Sequence, residues 1–234
     1  MGETVEFPSN GHTCTGYLAT PTSGHGPGVV VIQEWWGLVP HIEDLCDRFA
    51  AEGFVALAPD LYHGKATKEP DEAGKLLMEL NLAGAAQDML GAGAWLAAGD
   101  RTAGDRVGIV GFCMGGALAI YAATLSPVFA AVVPFYPYMG ATAAAKPEVG
   151  NIKGAVLGHF AELDGAYTHE QVDALEAELR SAGVDVEFFW YQGADHAFFN
   201  DTRPEVYDAD ASRLAWERTR AFFRTHLATT VTPV

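Results

Sequence analysis

Cys113, Asp164 and His196 are the residues whose types and spacing could do chemistry together. Cys113 sits in Gly111-Phe112-Cys113-Met114-Gly115, between an apolar run at 107–110 and a small-residue run at 115–123. A nucleophile flanked at two residues on either side by glycine fits a strand-to-helix elbow. Its backbone is strained, and side chains at the glycine positions would collide there. Such a turn lifts the thiol above the strand ends, at the N-terminus of a helix, where the dipole favours thiolate. An elbow of this kind predicts an acid after a later strand and a histidine after the strand that follows. Asp164 comes 51 residues after Cys113, at the end of "AVLGHFAELD", and His196 comes 32 residues after Asp164, in "QGADHAFFN". Glu162 and Asp195 are rival acids. Glu162 comes earlier in its loop, and Asp195 adjoins His196, too local to orient the ring easily. The other histidines (12, 25, 41, 63, 159, 169 and 226) read as surface or structural.

The chemistry expected of this trio is nucleophilic acyl transfer. His196 takes the thiol proton and Asp164 fixes its tautomer. An oxyanion hole needs two donors. The N–H of Met114 follows the nucleophile, and a second comes from the peptide around Trp35, in the early loop "QEWWGLVPHI". Glu34 in that loop directly follows an apolar strand, a costly place for a carboxylate. It reads either as a structural residue paired with backbone or Arg, or as a contact of the thiol that controls its protonation.

The elements that must position these residues alternate. "HTCTGYLAT" alternates like an antiparallel strand, whereas "GVVVIQ" is β-branched throughout, as in a strand buried on both faces. "HIEDLCDRFAAEG" carries a helical stripe and stops at Gly53. "FVALAPD" is a strand, followed by a polar loop at 61–74 and a long or broken helix over 74–98. Further strands are expected at "RVGIVGF", Val128–Pro137, from Gly154, and in "VDVEFFWYQG". Helices are expected at Met114–Leu125, His169–Gly183 and Arg203–Leu227, the last with a proline near its start. The pattern is α/β, a mostly parallel, doubly wound sheet flanked by helices, and short linkers give one domain over 1–234.

Composition narrows the partners. The chain has 234 residues, 49% hydrophobic and 19% charged, with a formal net charge of -16. So acidic a chain is a poor partner for nucleic acid or an anionic membrane. Three widely spaced cysteines, with no Cys-x-x-Cys pair, suggest neither disulfides nor zinc. Cys14 and Cys46 read as small buried hydrophobes. No secretory signal or membrane-length apolar run is seen, so a cytoplasmic protein is expected.

"QEWWGL", "APDLYHG", "GFCMGG", the Asp164 loop and "GADHAFFN", in this order from about residue 12 to 227, resemble the dienelactone hydrolase family. The resemblance implies an α/β-hydrolase fold and a Cys-His-Asp triad. It implies hydrolysis of a small-molecule ester or lactone through a thioester acyl-enzyme, with no metal or organic cofactor. It also implies that Glu34 holds the resting thiol and releases it when substrate arrives. One departure stands out. Well-known members bind the dienelactone carboxylate with arginines, one of them just after the catalytic histidine, where this chain has Asn200. Lys68, Lys75 and Arg203 are the nearby cations, and lysine does not replace a bidentate clamp. The expected substrate is therefore not the standard dienelactone. Trp35, Trp36, Tyr136, Tyr138, Phe198 and Phe199 are expected to line an aromatic pocket or pack around it, with Asn200 beside it. The alternatives are a non-catalytic binding or regulatory homologue, or an acyltransferase or peptidase on the same scaffold. A dehalogenase would need Asp at the elbow.

Overall fold

The computed structural model describes residues 2–9 and 11–228; the remainder of the expected 1–234 domain lies outside the described residues. Among them, eight strands form one sheet in the order β1-β2-β4-β3-β5-β6-β7-β8. These are β1 (Glu3–Ser9), β2 (His12–Ala19), β3 (Gly28–Ile32), β4 (Val55–Pro59), β5 (Val107–Phe112), β6 (Phe129–Phe135), β7 (Ala155–Ala161) and β8 (Val186–Tyr191). β2 runs antiparallel to β1 and β4, and the other pairs are parallel. The helices are α1 (Pro40–Ala51), α2 (Pro70–Glu79), α3 (Leu82–Ala98), α4 (Met114–Leu125), α5 (His169–Ser181) and α6 (Ala209–His226).

The central strands are buried on both faces. Along β3, Val30 and Ile32 pack with Met89 and Leu96 of α3 and Leu118 of α4. Val29 and Val31 face the other way, with Ile42, Leu45 and Phe49 of α1 and Phe223 of α6. This period of two explains why the run reads as continuous β-branched residues. The chain leaves β3 toward β4 on one side, and β5 lies on the other. That reversal opens a crevice at the C-terminal ends of β3 and β5, the place where open α/β sheets bind ligands.

Three boundaries differ from the sequence reading. β1 was not expected. Its segment is polar because only Phe7 and Ser9 are buried, and the pairing with β2 that makes it a strand lies outside its own pattern. α2 begins at Pro70, inside the expected 61–74 loop. The proline occupies the first turn, where no N–H is needed, and Asp71 and Glu72 meet the positive end of the helix dipole. The 74–98 segment is broken at Leu80–Asn81, and Asn81 caps α3 by accepting from the Gly84 N–H. The last helix begins at Ala209 rather than Arg203. Asp208 accepts from the amides of Asp210 and Ala211, and this cap outweighs the earlier proline signal.

Candidate active site

The turn between β5 and α4 places Cys113 at φ 56°, ψ -119°, in the left-handed region that few non-glycine residues adopt. Three backbone hydrogen bonds hold it there. Cys113 N donates to Phe135 O (3.1 Å), and Cys113 O accepts from Gly116 N (3.0 Å) and Tyr138 N (2.9 Å). A Cβ on Gly111 would lie 2.0 Å from Gly115 O, and one on Gly115 would lie 2.4 Å from Gln33 O. The glycines are thus required by close backbone approach on both sides of the thiol. Cys113 is partly exposed, whereas Cys14 and Cys46 are buried.

His196 follows β8, and its Nδ1 lies 2.5 Å from Asp164 Oδ2 in the loop after β7. Asp164 is 7% exposed, and its other oxygen accepts from the Ala166 N–H (2.8 Å). The rival acids are engaged elsewhere. Glu162 accepts from Gly193 N, and Asp195 accepts from the backbone N–H of His196. Burial lowers the His196 imidazolium's affinity for its proton, but hydrogen bonds with Asp164 and Cys113 outweigh it and push the pKa up to about 10.

Glu34 lies at the end of β3, 2% exposed. Its Oε2 accepts from Asn200 Nδ2 (2.8 Å), and Asn200 Oδ1 in turn accepts from Thr202 N (3.1 Å) and Thr202 Oγ1 (2.6 Å). Glu34 Oε1 is buried with no hydrogen-bond partner. Burial raises the Glu34 carboxyl above its usual range, against the lowering effect of Asn200, His196 and Arg203. The expected contact from Glu34 to the thiol is not the one formed. Glu34 bonds Asn200, while Cys113 shares the crevice with His196, which Asp164 holds. Asn200, expected beside substrate, lines the neighbouring cavity and donates its amide to Glu34.

The crevice beside the thiol is a cavity of about 340 Å³ whose walls include Glu34, Trp35, Leu77, Cys113, His196 and Arg203. A neighbouring cavity of about 460 Å³ is lined by Trp36, His41, Thr67, Lys68, Asn200 and Arg203. Trp36 and Arg203 belong to both. The amides of Trp35 and Met114 make no loop or turn hydrogen bond among the described residues, and Met114 opens α4, where amides lack an intrahelical acceptor. Tyr62 Oη donates to Met114 Sδ (3.3 Å).

The aromatic expectation divides. Trp35, Trp36 and Tyr138 line the cavities. Phe198 does not; it is fully buried among Phe135, Tyr136 and Tyr191, where the first turn after His196 folds back into the core. Phe199 likewise packs on Phe112 and Phe135. Tyr136 stands behind His196, ring centroids 5.2 Å apart, with its hydroxyl buried and unpartnered. Lys75 is exposed on α2 and lines neither cavity. Leu77 was missed. It belongs to a helix whose start was misplaced, and nothing local marks the side of α2 that meets the crevice.

A strained nucleophile position after β5, an acid after β7 and a histidine after β8, on a mostly parallel eight-stranded sheet, define an α/β-hydrolase fold. The solved structure titled "Crystal Structure of Putative Dienelactone Hydrolase", from Klebsiella pneumoniae, superimposes with a TM-score of 0.84 at 29% identity, covering 95% of this chain and 98% of that one. Residues 14–227 match the model of the dienelactone hydrolase family. "Protein usf" of Aquifex pyrophilus is 42% identical, and a "Putative carboxymethylenebutenolidase" of Aquifex aeolicus 38%, each over 97% of this chain and 100% of its own length. The chain belongs to the dienelactone hydrolase family and is a hydrolase of the ester and lactone type. No helix among the described residues is long and apolar enough to cross a membrane.

Proposed function

We propose that the protein hydrolyses a small-molecule carboxylic ester or lactone through a thioester formed on Cys113. The observation that carries this reading is His196, hydrogen-bonded to Asp164 and lining one open crevice together with Cys113. Cys113 stands at the N-terminus of α4, and His196 takes its proton as the sulfur attacks. The thiolate attacks the carbonyl carbon, and the amides of Met114 and Trp35 receive the developing oxyanion. His196 gives its proton to the leaving alkoxide, which in a lactone stays tethered to the acyl group. A water molecule then loses its proton to His196 and attacks the thioester, releasing the acid and the thiol. Asp164 keeps the imidazole in the required orientation throughout.

Glu34 acts as a positioning residue in this scheme. Its buried, half-satisfied carboxyl sits near His196 and Arg203, so its protonation sets the field in which thiol and imidazole share a proton. The substrate is less anionic than a dienelactone carboxylate. Asn200 is engaged by Glu34, and among the described residues Arg203 is the only arginine on the crevice; its Nε bonds Glu205 (2.9 Å).

Turnover of a small aryl ester and of a dienelactone should be compared side by side for wild type and Cys113→Ala, with mass spectrometry of the quenched enzyme. Activity and an acyl adduct are expected in the wild type alone, with the aryl ester preferred. A folded Cys113→Ala protein as active as the wild type would overturn the reading.

A further inference from the structure

α3 has seventeen residues and a single charged one, Asp88, which is fully buried. A lone carboxylate on an otherwise alanine- and leucine-rich helix is expensive unless something compensates it. Ser9 Oγ donates to its Oδ1 at 2.5 Å. Two imidazoles from distant parts of the chain close on the same carboxylate. His12 Nε2, at the start of β2, lies 3.0 Å from Oδ1, and His63 Nε2, in the loop after β4, lies 3.1 Å from Oδ2. Yet Oδ2 makes no hydrogen bond, despite that short distance. His63 is itself held at φ 51°, in a turn whose amides at Tyr62 and Gly64 are tied to the Asp60 carboxylate at 3.1 and 2.6 Å. A strained turn thus presents an imidazole to a buried carboxylate oxygen that it does not satisfy.

We propose that His12, His63 and Asp88 bind a divalent transition-metal ion of the zinc class. The three ligand atoms lie within 4.8 Å of one another. Ligand bonds of about 2.0–2.2 Å place neighbouring donors of a tetrahedral ion roughly 3.3–3.5 Å apart. His12 and His63 approach different oxygens of Asp88, so whichever oxygen ligates is within a few tenths of an ångström of that edge from one imidazole, and the other imidazole must move in from within 4.8 Å. The two imidazoles must approach each other further, and both are about half exposed and free to turn. Two imidazoles and one carboxylate suit zinc, cobalt and nickel, and discriminate against calcium and magnesium, which prefer all-oxygen shells. Remaining positions open onto a cleft of about 310 Å³ that also holds Glu79 and Asn81, where water can complete the shell. Cys14 lies nearby, but it is fully buried and its Sγ donates to the carbonyls of Thr15 (3.3 Å) and Asp60 (3.9 Å), so it is turned to the backbone rather than offered as a ligand.

Such an ion joins β2, α3 and the loop after β4. Tyr62 in that loop rests its hydroxyl on Met114 Sδ, beside the proposed oxyanion hole. The ion is therefore a clamp on one wall of the crevice, separate from the thiol chemistry.

The test uses untagged full-length protein carrying Cys113→Ser, so that the partly exposed thiol does not compete for the ion. After stripping with chelator, Co2+ is titrated and its visible absorption recorded, and thermal midpoints are measured with and without Zn2+. One equivalent of Co2+ is expected, with a higher midpoint in Zn2+. His12→Gln and His63→Gln, both at half-exposed positions, should keep the metal-free midpoint, weaken Co2+ binding about 100-fold or more, and lose the Zn2+ shift. The proposal falls if the parent binds no stoichiometric ion at micromolar concentration, or if both glutamine variants bind as tightly as the parent. In that case the cluster is only a hydrogen-bonded support for Asp88.

Discussion

His196 follows β8 and His159 lies on the neighbouring β7, and their imidazoles are driven in opposite directions. His159, on β7, is fully buried between Tyr191 Oη (2.8 Å) and Thr219 Oγ1 (2.9 Å). Burial, reinforced by the positive charge of Arg218, lowers its pKa to about 3. His196 also loses hydration, but Asp164 and Cys113 reverse the outcome and raise it to about 10. Burial penalises the cation in both cases. The partner decides: two neutral hydroxyls leave the ring neutral, whereas the Asp164 carboxylate stabilises an imidazolium. One histidine supports the core and the other is equipped to move a proton.

Removing the charged partner should break this contrast most severely. Asp164→Asn is expected to lower kcat/KM by about 10³–10⁴-fold with the fold retained, because the ring loses both its tautomer and its stabilised charge. A steady-state assay paired with circular dichroism checks it, and a loss under tenfold would remove Asp164 from the proposed mechanism. The matching change on the structural side is His159→Ala. It opens a cavity and unpairs the buried Thr219 hydroxyl, while Tyr191 keeps Arg218, for about 2–4 kcal/mol of lost stability. Urea unfolding measures that loss, while activity per folded molecule should stay close to wild type.

The two rings should also leave opposite marks on stability against pH. Between about 6.5 and 3 the unfolded chain protonates His159 and the folded chain does not. The folded state therefore loses ground as pH falls through that window, with a slope of up to ~1.4 kcal/mol per pH unit from this one group. For His196 the folded chain keeps its proton between about 6.5 and 10 while the unfolded chain releases it. Its contribution is complete below that window and is lost as pH rises through it. Unfolding curves of His159→Gln and His196→Gln, each subtracted from wild type across pH, should show an acid arm for the first and an alkaline arm for the second. Arms on the same side would mean that partner charge is not what separates the two sites.

The smallest effect sharpens the role of Glu34. Asn200→Ala removes the hydrogen bond that lowers the Glu34 carboxyl, so that carboxyl should rise further. The pH profile of Cys113 alkylation should move with it, accompanied by a rate change of about tenfold or less. A profile identical to wild type in both Asn200→Ala and Glu34→Gln would leave Glu34 with a structural role alone.

Much of this site is legible in the chain because elbow chemistry is local. Gly111, Cys113 and Gly115 announce a turn too tight for side chains, and the order of Cys113, Asp164 and His196 follows the order of strands. The Asn200–Glu34 bond joins residues 166 apart. Each residue type has many other partners, so no local pattern marks that pairing. Phe198 shows the same limit, since an aromatic residue two places after His196 reads equally well as pocket or core.

By itself, the sequence determined what a short stretch of backbone dictates: alternation of strand and helix, the glycine-flanked turn at Cys113, and the order of Cys113, Asp164 and His196 along the strands. Only the tertiary structure decided which buried polar groups meet. It joined Glu34 to Asn200, kept His159 from charge by enclosing it, turned Leu77 toward the crevice, and gathered His12, His63 and Asp88 around one carboxylate. The physical reason is range. Steric and capping preferences act over a few residues, while the free energy of a buried charge depends on every group that the fold brings within a few ångströms.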